Sequence, residues 1–158
     1  MRQTVFILLS ILIFQTGISQ NLTRSDLIGE WEFIALQDEN GIKQTKIPLN
    51  RWGKAGMVEN VNRDSYVFNA DGTYKSFNPL NISYGTWFFD TQTKEINLEL
   101  RIETDSPYLP SLKKAKIVKK RKDGFYYQKP VKKKIFSFSN ESMTIADREK
   151  YVLIYKQK

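Results

Sequence analysis

The sequence contains neither histidine nor cysteine. Their absence excludes His-based triads, thiol nucleophiles, disulfides and every Cys/His ligand set for zinc or iron–sulfur clusters. A general base would have to be Asp, Glu, Lys or Tyr, and no pair of acids stands in a motif that assigns it such work. Glu30 and Glu32 alternate along the polar side of one predicted strand, where carboxylates are normally solvated. Asp38–Gly41 and Asn69–Gly72 carry oxygens that suit calcium but lack the spacing of a calcium loop. The expectation is a protein that is not an enzyme and holds no cofactor and no metal. Acids are scarce overall, 17 Asp and Glu against 25 Lys and Arg in 158 residues. An apolar run of the roughly 20 residues needed to cross a bilayer is also missing, so no transmembrane span is expected.

What is present is 41% hydrophobic, 13% aromatic and 27% charged residues, the profile of one globular domain. At the N-terminus Arg2 precedes an apolar run from Val5 to Phe14, and Thr16, Gly17 and Ser19 follow. This is the pattern of a secretory signal peptide over residues 1–19. Cleavage after Ser19 leaves residues 20–158 as one domain, exported to the periplasm or beyond. A chain of that size buries roughly two thirds of its unfolded surface, so a core can form without disulfides.

Charge is unevenly spread. Between Lys113 and Lys134 there are eleven basic residues and one acid, Asp123. Outside that band residues 20–158 carry slightly more acid than base, so the molecule is expected to be a mildly acidic body with one cationic stripe that attracts polyanions.

The periodicity is that of strands. Gly29–Leu36 alternates, with Gly29, Trp31, Phe33 and Ala35 on one side. Residues 38–62 hold no period and read as a long loop with room for a short strand. Tyr66–Phe68 and Thr73–Phe77 flank Asn69-Ala70-Asp71-Gly72, a hairpin in which Gly72 supplies the positive φ. Gly85–Phe89 and Glu95–Glu103 form a second hairpin, and Ile96, Leu98, Leu100 and Ile102 share one face of its return strand. Pro107 and Pro110 mark residues 106–110 as loop. Ile117-Val118 and Phe125–Gln128 flank an Asp123-Gly124 turn, and Ile135–Phe138, Met143–Ala146 and Tyr151–Lys156 close the chain. Eight to ten short antiparallel strands without a long helix predict an all-β sandwich or up-and-down barrel.

Leu27-Ile28-Gly29-Glu30-Trp31, Tyr66-Val67-Phe68 with Asp71-Gly72-Thr73-Tyr74, Gly85-Thr86-Trp87, and Met143-Thr144-Ile145 with Tyr151–Tyr155 together resemble the bacterial secreted lipocalin-like domains. The resemblance spans about Leu27 to Tyr155. It implies a small antiparallel up-and-down β-barrel of about eight strands whose Gly29-x-Trp31 packs the closed end. The family's basic residue near the last strand has only Arg148 or Lys156 as counterparts.

Three groups of site candidates follow. Trp31, Phe33, Tyr66, Phe68, Tyr74, Trp87, Phe89, Leu98 and Leu100 would line a lumen, either as a packed core or as a slot for a small apolar or amphipathic ligand. Arg51 and Trp52, in the long loop, would lie over the barrel mouth as a lid or a plug. Lys113, Lys114, Lys116, Lys119, Lys120, Arg121 and Lys122, beside Phe125, Tyr126 and Tyr127, form either a solvated face on two strands or an anion-binding face. For an exported chain, anionic envelope lipids or glycans are preferred over nucleic acid as the partner of that face.

Overall fold

A computed structural model describes residues 22–48, 58–147 and 150–158. Residues 1–19, read above as a signal peptide, and Arg51, Trp52 and Arg148 therefore lie outside the described residues. A 3-10 turn, Ser25–Leu27, leads into β1 (Gly29–Asp38). The predicted long loop contains three short strands, β2 (Lys43–Gln44), β3 (Lys46–Pro48) and β4 (Val58–Asn60), of which β3 and β4 pair with each other. Then come β5 (Ser65–Phe68), β6 (Thr73–Asn78), β7 (Asn81–Asp90), β8 (Glu95–Ile102) and α1 (Leu109–Lys114). The chain ends with β9 (Val118–Lys120), β10 (Tyr126–Gln128), β11 (Val131–Phe138), β12 (Ser142–Asp147) and β13 (Tyr151–Gln157).

Eight of these strands close a ring. The order β1-β5-β6-β7-β8-β11-β12-β13 returns to β1, and every neighbouring pair is antiparallel. This is the expected eight-stranded up-and-down barrel, and closure leaves its wall without a free edge where the ring is complete. The alternation predicted for β5 to β7 holds, with Tyr66, Phe68, Tyr74 and Trp87 buried, whereas on β8 Ile96 and Leu98 are buried together with Asn97 from the opposite face, and Leu100 and Ile102 are only half-buried. Gly72 has φ 88° in the β5–β6 turn, and the Asn69 amide donates to the Thr73 carbonyl across it.

Two local departures bear on the site. Pro110 lies in the first turn of α1 instead of barring a helix, a position where its missing N–H costs no hydrogen bond. The free edge of β8 is also divided, Glu95–Leu98 pairing with β11 and Arg101–Ile102 with β10. Tyr127 opposes Arg101 while Val131 opposes Leu98, so three steps along β8 are matched by four along its neighbour. The chain from β10 into β11 is thus one wall strand with a bulge at residues 128–130, where Pro130 donates no hydrogen bond. The β9–β10 hairpin extends from the wall above this bulge.

The 3-10 turn closes one end of the barrel. Leu27 and Trp31 are fully buried there, and the Trp31 indole N–H donates to the Leu27 carbonyl at 2.9 Å. The Trp87 indole donates to the Asn69 carbonyl at 3.0 Å, and the Arg24 guanidinium lies over its ring at 5.0 Å. Beside Trp31 stands the Phe138 ring, centroids 5.5 Å apart. Lys156, one of the two basic residues proposed for that neighbourhood, is exposed.

Candidate functional site

The lumen candidates meet one another. Trp31, Tyr66, Phe68, Tyr74, Trp87, Phe89 and Leu98 belong to one buried cluster, with Phe33 packed against it. Phe68 and Trp87 are 4.8 Å apart, Tyr66 stacks on Phe68 at 5.5 Å, and Tyr66 also meets Tyr155 at 5.8 Å. Leu100, half-buried, falls outside this cluster and borders a cleft with Ile82, Arg101 and Ser106. Its cross-strand partner Gly85 explains the packing nearby. A Cβ at Gly85 would lie 2.1 Å from the Glu99 carbonyl oxygen and 2.6 Å from the Tyr74 ring, so only glycine lets Tyr74 lie across this strand.

Sequence reasoning missed Tyr155, buried on β13, although Tyr151, Leu153 and Tyr155 alternate in a way that marks them as one face. Tyr155 completes a layer of phenols with Tyr66 and Tyr74. Burial is the main cause that raises all three above the ordinary phenol value, Tyr74 to about 12. The Asp64 carboxylate adds to each shift. Asp64 itself accepts from the Asn78 amide at 2.6 Å, and Arg63 bridges Glu59 and Asp147, each at 3.3 Å. Polar groups thus gather around Asp64 and Arg63, just before β5. Ile47 of β3, at the foot of the long loop, is fully buried in the core cluster.

The cationic candidates occupy a helix, an edge strand and a turn, which corrects the expectation of a face on two strands. Lys113 and Lys114 end α1, Lys116 follows it, Lys119 and Lys120 lie on β9, and Arg121 and Lys122 enter the turn to β10. Arg121 is an engaged residue: its guanidinium pairs with the Glu99 carboxylate, donates to Thr86 Oγ1 at 3.2 Å and covers the Tyr127 ring at 4.2 Å. Arg101, not singled out by the sequence, lies over Phe125 at 4.5 Å and Tyr84 at 5.8 Å and pairs with Glu103 at 2.7 Å. These two arginines clamp the β9–β10 hairpin against the barrel wall. Asp123 accepts from the Phe125 amide and from the Tyr127 hydroxyl, the latter at 2.8 Å, which fixes the hairpin turn. Tyr126 has the Lys113 ammonium 4.4 Å and the Lys120 ammonium 5.9 Å from its ring centre. The hydrogen bond with Lys113 lowers the phenol below its ordinary value.

Open space lies around this hairpin. A cavity of about 470 Å³ at the wall bulge is bordered by Glu99, residues 116–119, Arg121 and residues 127–130. A cleft of about 550 Å³ on the wall takes in Lys75, Tyr84, Thr86, Arg101 and Tyr127. Among the described residues no helix is long and apolar enough to cross a membrane.

No family model and no curated protein matches this sequence. Among solved structures, the chain is similar to an uncharacterized protein from Bacteroides eggerthii, with 14% identity, a TM-score of 0.47 and coverage of 83% of this chain and 98% of that one. It is likewise similar to a lipocalin-like protein from Bacteroides uniformis, with 16% identity, a TM-score of 0.47 and coverage of 84% of this chain and 99% of that one.

Proposed function

We propose that this chain is an exported, non-catalytic binding protein that attaches to anionic envelope lipids or glycans through the basic face of α1, β9 and β10, with the barrel as scaffold. One observation carries this reading. Lys113, Lys114, Lys116, Lys119, Lys120 and Lys122 are exposed on a single excursion of the chain, Lys129 is exposed in the wall bulge beside it, and among the described residues none of them has a carboxylate partner. Clustered unpaired ammonium groups attract anions strongly at low salt and weakly once the screening length falls to about 8 Å at physiological ionic strength. Co-sedimentation should therefore recover the protein with vesicles of phosphatidylglycerol and phosphatidylcholine but not with phosphatidylcholine alone. Recovery should drop steeply as salt is raised. Equal recovery on both vesicles, or none on either them or an acidic glycan resin, would refute the reading.

A second reading, a small apolar or amphipathic ligand in the lumen, draws support from the layer of Tyr66, Tyr74 and Tyr155, which offers phenol groups to a ligand's polar end inside a mainly apolar barrel. Mass spectrometry of the exported protein under native conditions and again after denaturation tests it. A stoichiometric small molecule released only on denaturation, and lost in Trp87→Ala, is the expected result; clean apo protein would sink it.

A further inference from the structure

The cavity at the β10–β11 bulge has the makings of a defined site within the basic face. Its cause lies in the backbone: the extra residue at 128–130 and the missing N–H of Pro130 part the wall next to Glu99, and the Lys129 amide donates to the Ile117 carbonyl at 3.1 Å, tying the far rim to the segment before β9. Around the opening stand Lys116, Lys119 and Lys129, all exposed and without carboxylate partners among the described residues. Glu99, the acid of the lining, is neutralised by Arg121. Lys116 also holds φ 55°, in the left-handed region where glycine is the usual residue after a helix. The remaining wall is mainly aliphatic, from Ile117, Val118 and Pro130 with Gln128 between, and Ile117 is left 39% exposed.

These features select among ligands. Three ammonium groups exceed what one carboxylate can neutralise, whereas a phosphate brings two charges and three free oxygens. The only ring in the lining, Tyr127, is covered by the Arg121 guanidinium at 4.2 Å, which leaves no free aromatic face for a nucleobase to stack on. The aliphatic wall calls for hydrocarbon instead, and a volume of about 470 Å³ lies within the range of small-molecule sites. We propose that this cavity binds the phosphate group of an acyl-bearing amphiphile, phosphate on Lys116, Lys119 and Lys129 and the start of the chain along Ile117, Val118 and Pro130. This deepens the basic-face reading and rests on it.

Dihexanoyl phosphatidic acid, kept below its micelle concentration, is the probe, titrated into the full exported domain by calorimetry, with inorganic phosphate and dihexanoyl phosphatidylcholine in parallel. The expected result is a 1:1 complex with phosphatidic acid, at least tenfold weaker binding of the other two, and at least tenfold loss in Lys119→Glu/Lys129→Glu. The variant Lys114→Glu/Lys122→Glu changes the same charge on the same face outside the cavity lining and should keep the complex. Equal loss in both variants would overturn the site and leave a diffuse field. Phosphate binding as tightly as phosphatidic acid would overturn the amphiphile. The same proteins on phosphatidic acid vesicles separate a free ligand from a lipid surface: a larger loss of vesicle binding in Lys119→Glu/Lys129→Glu than in Lys114→Glu/Lys122→Glu assigns the site to the surface, and loss of the soluble complex in the first variant with equal vesicle binding in the two assigns it to a carried molecule. If wild-type protein fails on vesicles yet binds the soluble probe 1:1, the basic-face reading falls and the cavity stands.

Discussion

Tyr74 and its neighbours carry the clearest consequence of single side chains. Its phenol is held at about 12, chiefly by burial, against an ordinary value of 10.0, and Tyr66 and Tyr155 are raised too. A phenol that ionises later in the folded state than in the unfolded chain favours folding fully below pH 10 and loses that contribution as pH rises from 10 toward 12. Urea midpoints should hold steady up to pH 10 and then fall, and Tyr74→Phe should flatten part of that fall. Absorbance of phenolate should show Tyr126, lowered by its hydrogen bond with Lys113, titrating before Tyr66, Tyr74 and Tyr155, which ionise only as near-ultraviolet dichroism collapses. A midpoint insensitive to pH between 10 and 12 would contradict the burial argument. At this scale the inward aromatics were legible because a period of two leaves one face for them. Leu36 was not, because the register shift between Phe33 and Ala35 turns both Ala35 and Leu36 inward, and a bulge writes no signal in residue type.

Among the elements, the β9–β10 hairpin differs from the barrel strands in what holds it. Its backbone pairs with β8 through Tyr126 and Tyr127, and the rest of its attachment is guanidinium against ring and carboxylate. Such contacts are worth about 0.5–1 kcal/mol each where solvent reaches them. Arg121→Ala should therefore lower global stability by only about 1–2 kcal/mol while the amides of residues 118–128 exchange much faster than in wild type, measured by hydrogen–deuterium exchange. Faster exchange in β5 to β8 as well would mean that the hairpin is part of the barrel's cooperative unit. The Asp123-Gly124 turn announced this hairpin, and Gly124 duly has φ 90°. The helix before it was hidden because Pro107 and Pro110 read as loop punctuation, while a proline in the first turn is equally a helix start. β7 runs four residues further back than its alternation indicated, since Asn78 accepts from the Leu80 and Asn81 amides and makes the Pro79 turn tight enough for pairing to begin at once.

Across the whole molecule, closure of the ring was legible from the number and spacing of strands, whereas the site was not. Eleven basic residues in a band suggested one face. Which of them converge depends on the bulge and on long-range clamps to Glu99, Thr86 and Tyr84, and pairings so distant in sequence leave no mark in a single chain. The structure divides the band into struts and free groups: Arg121 and Lys132 are paired with Glu99 and Glu95, while Lys116, Lys119 and Lys129 stand around open space. The salt response predicted for the vesicles belongs to this scale, because it is the field of the unpaired group that reaches a surface.

Ile102 and Tyr126 are direct partners on adjacent strands, so everything between them, α1 and β9 included, is an insertion into what would otherwise be a tight hairpin. Lengthening such a connection costs little, about 0.6 kcal/mol for each doubling. The barrel can therefore tolerate wide variation in this segment's length, charge and shape with its ring intact. Inheritance of the fold and inheritance of the binding surface are thus nearly independent in this architecture, and grafting a different segment between Ile102 and Tyr126 offers a way to give the same barrel a new partner.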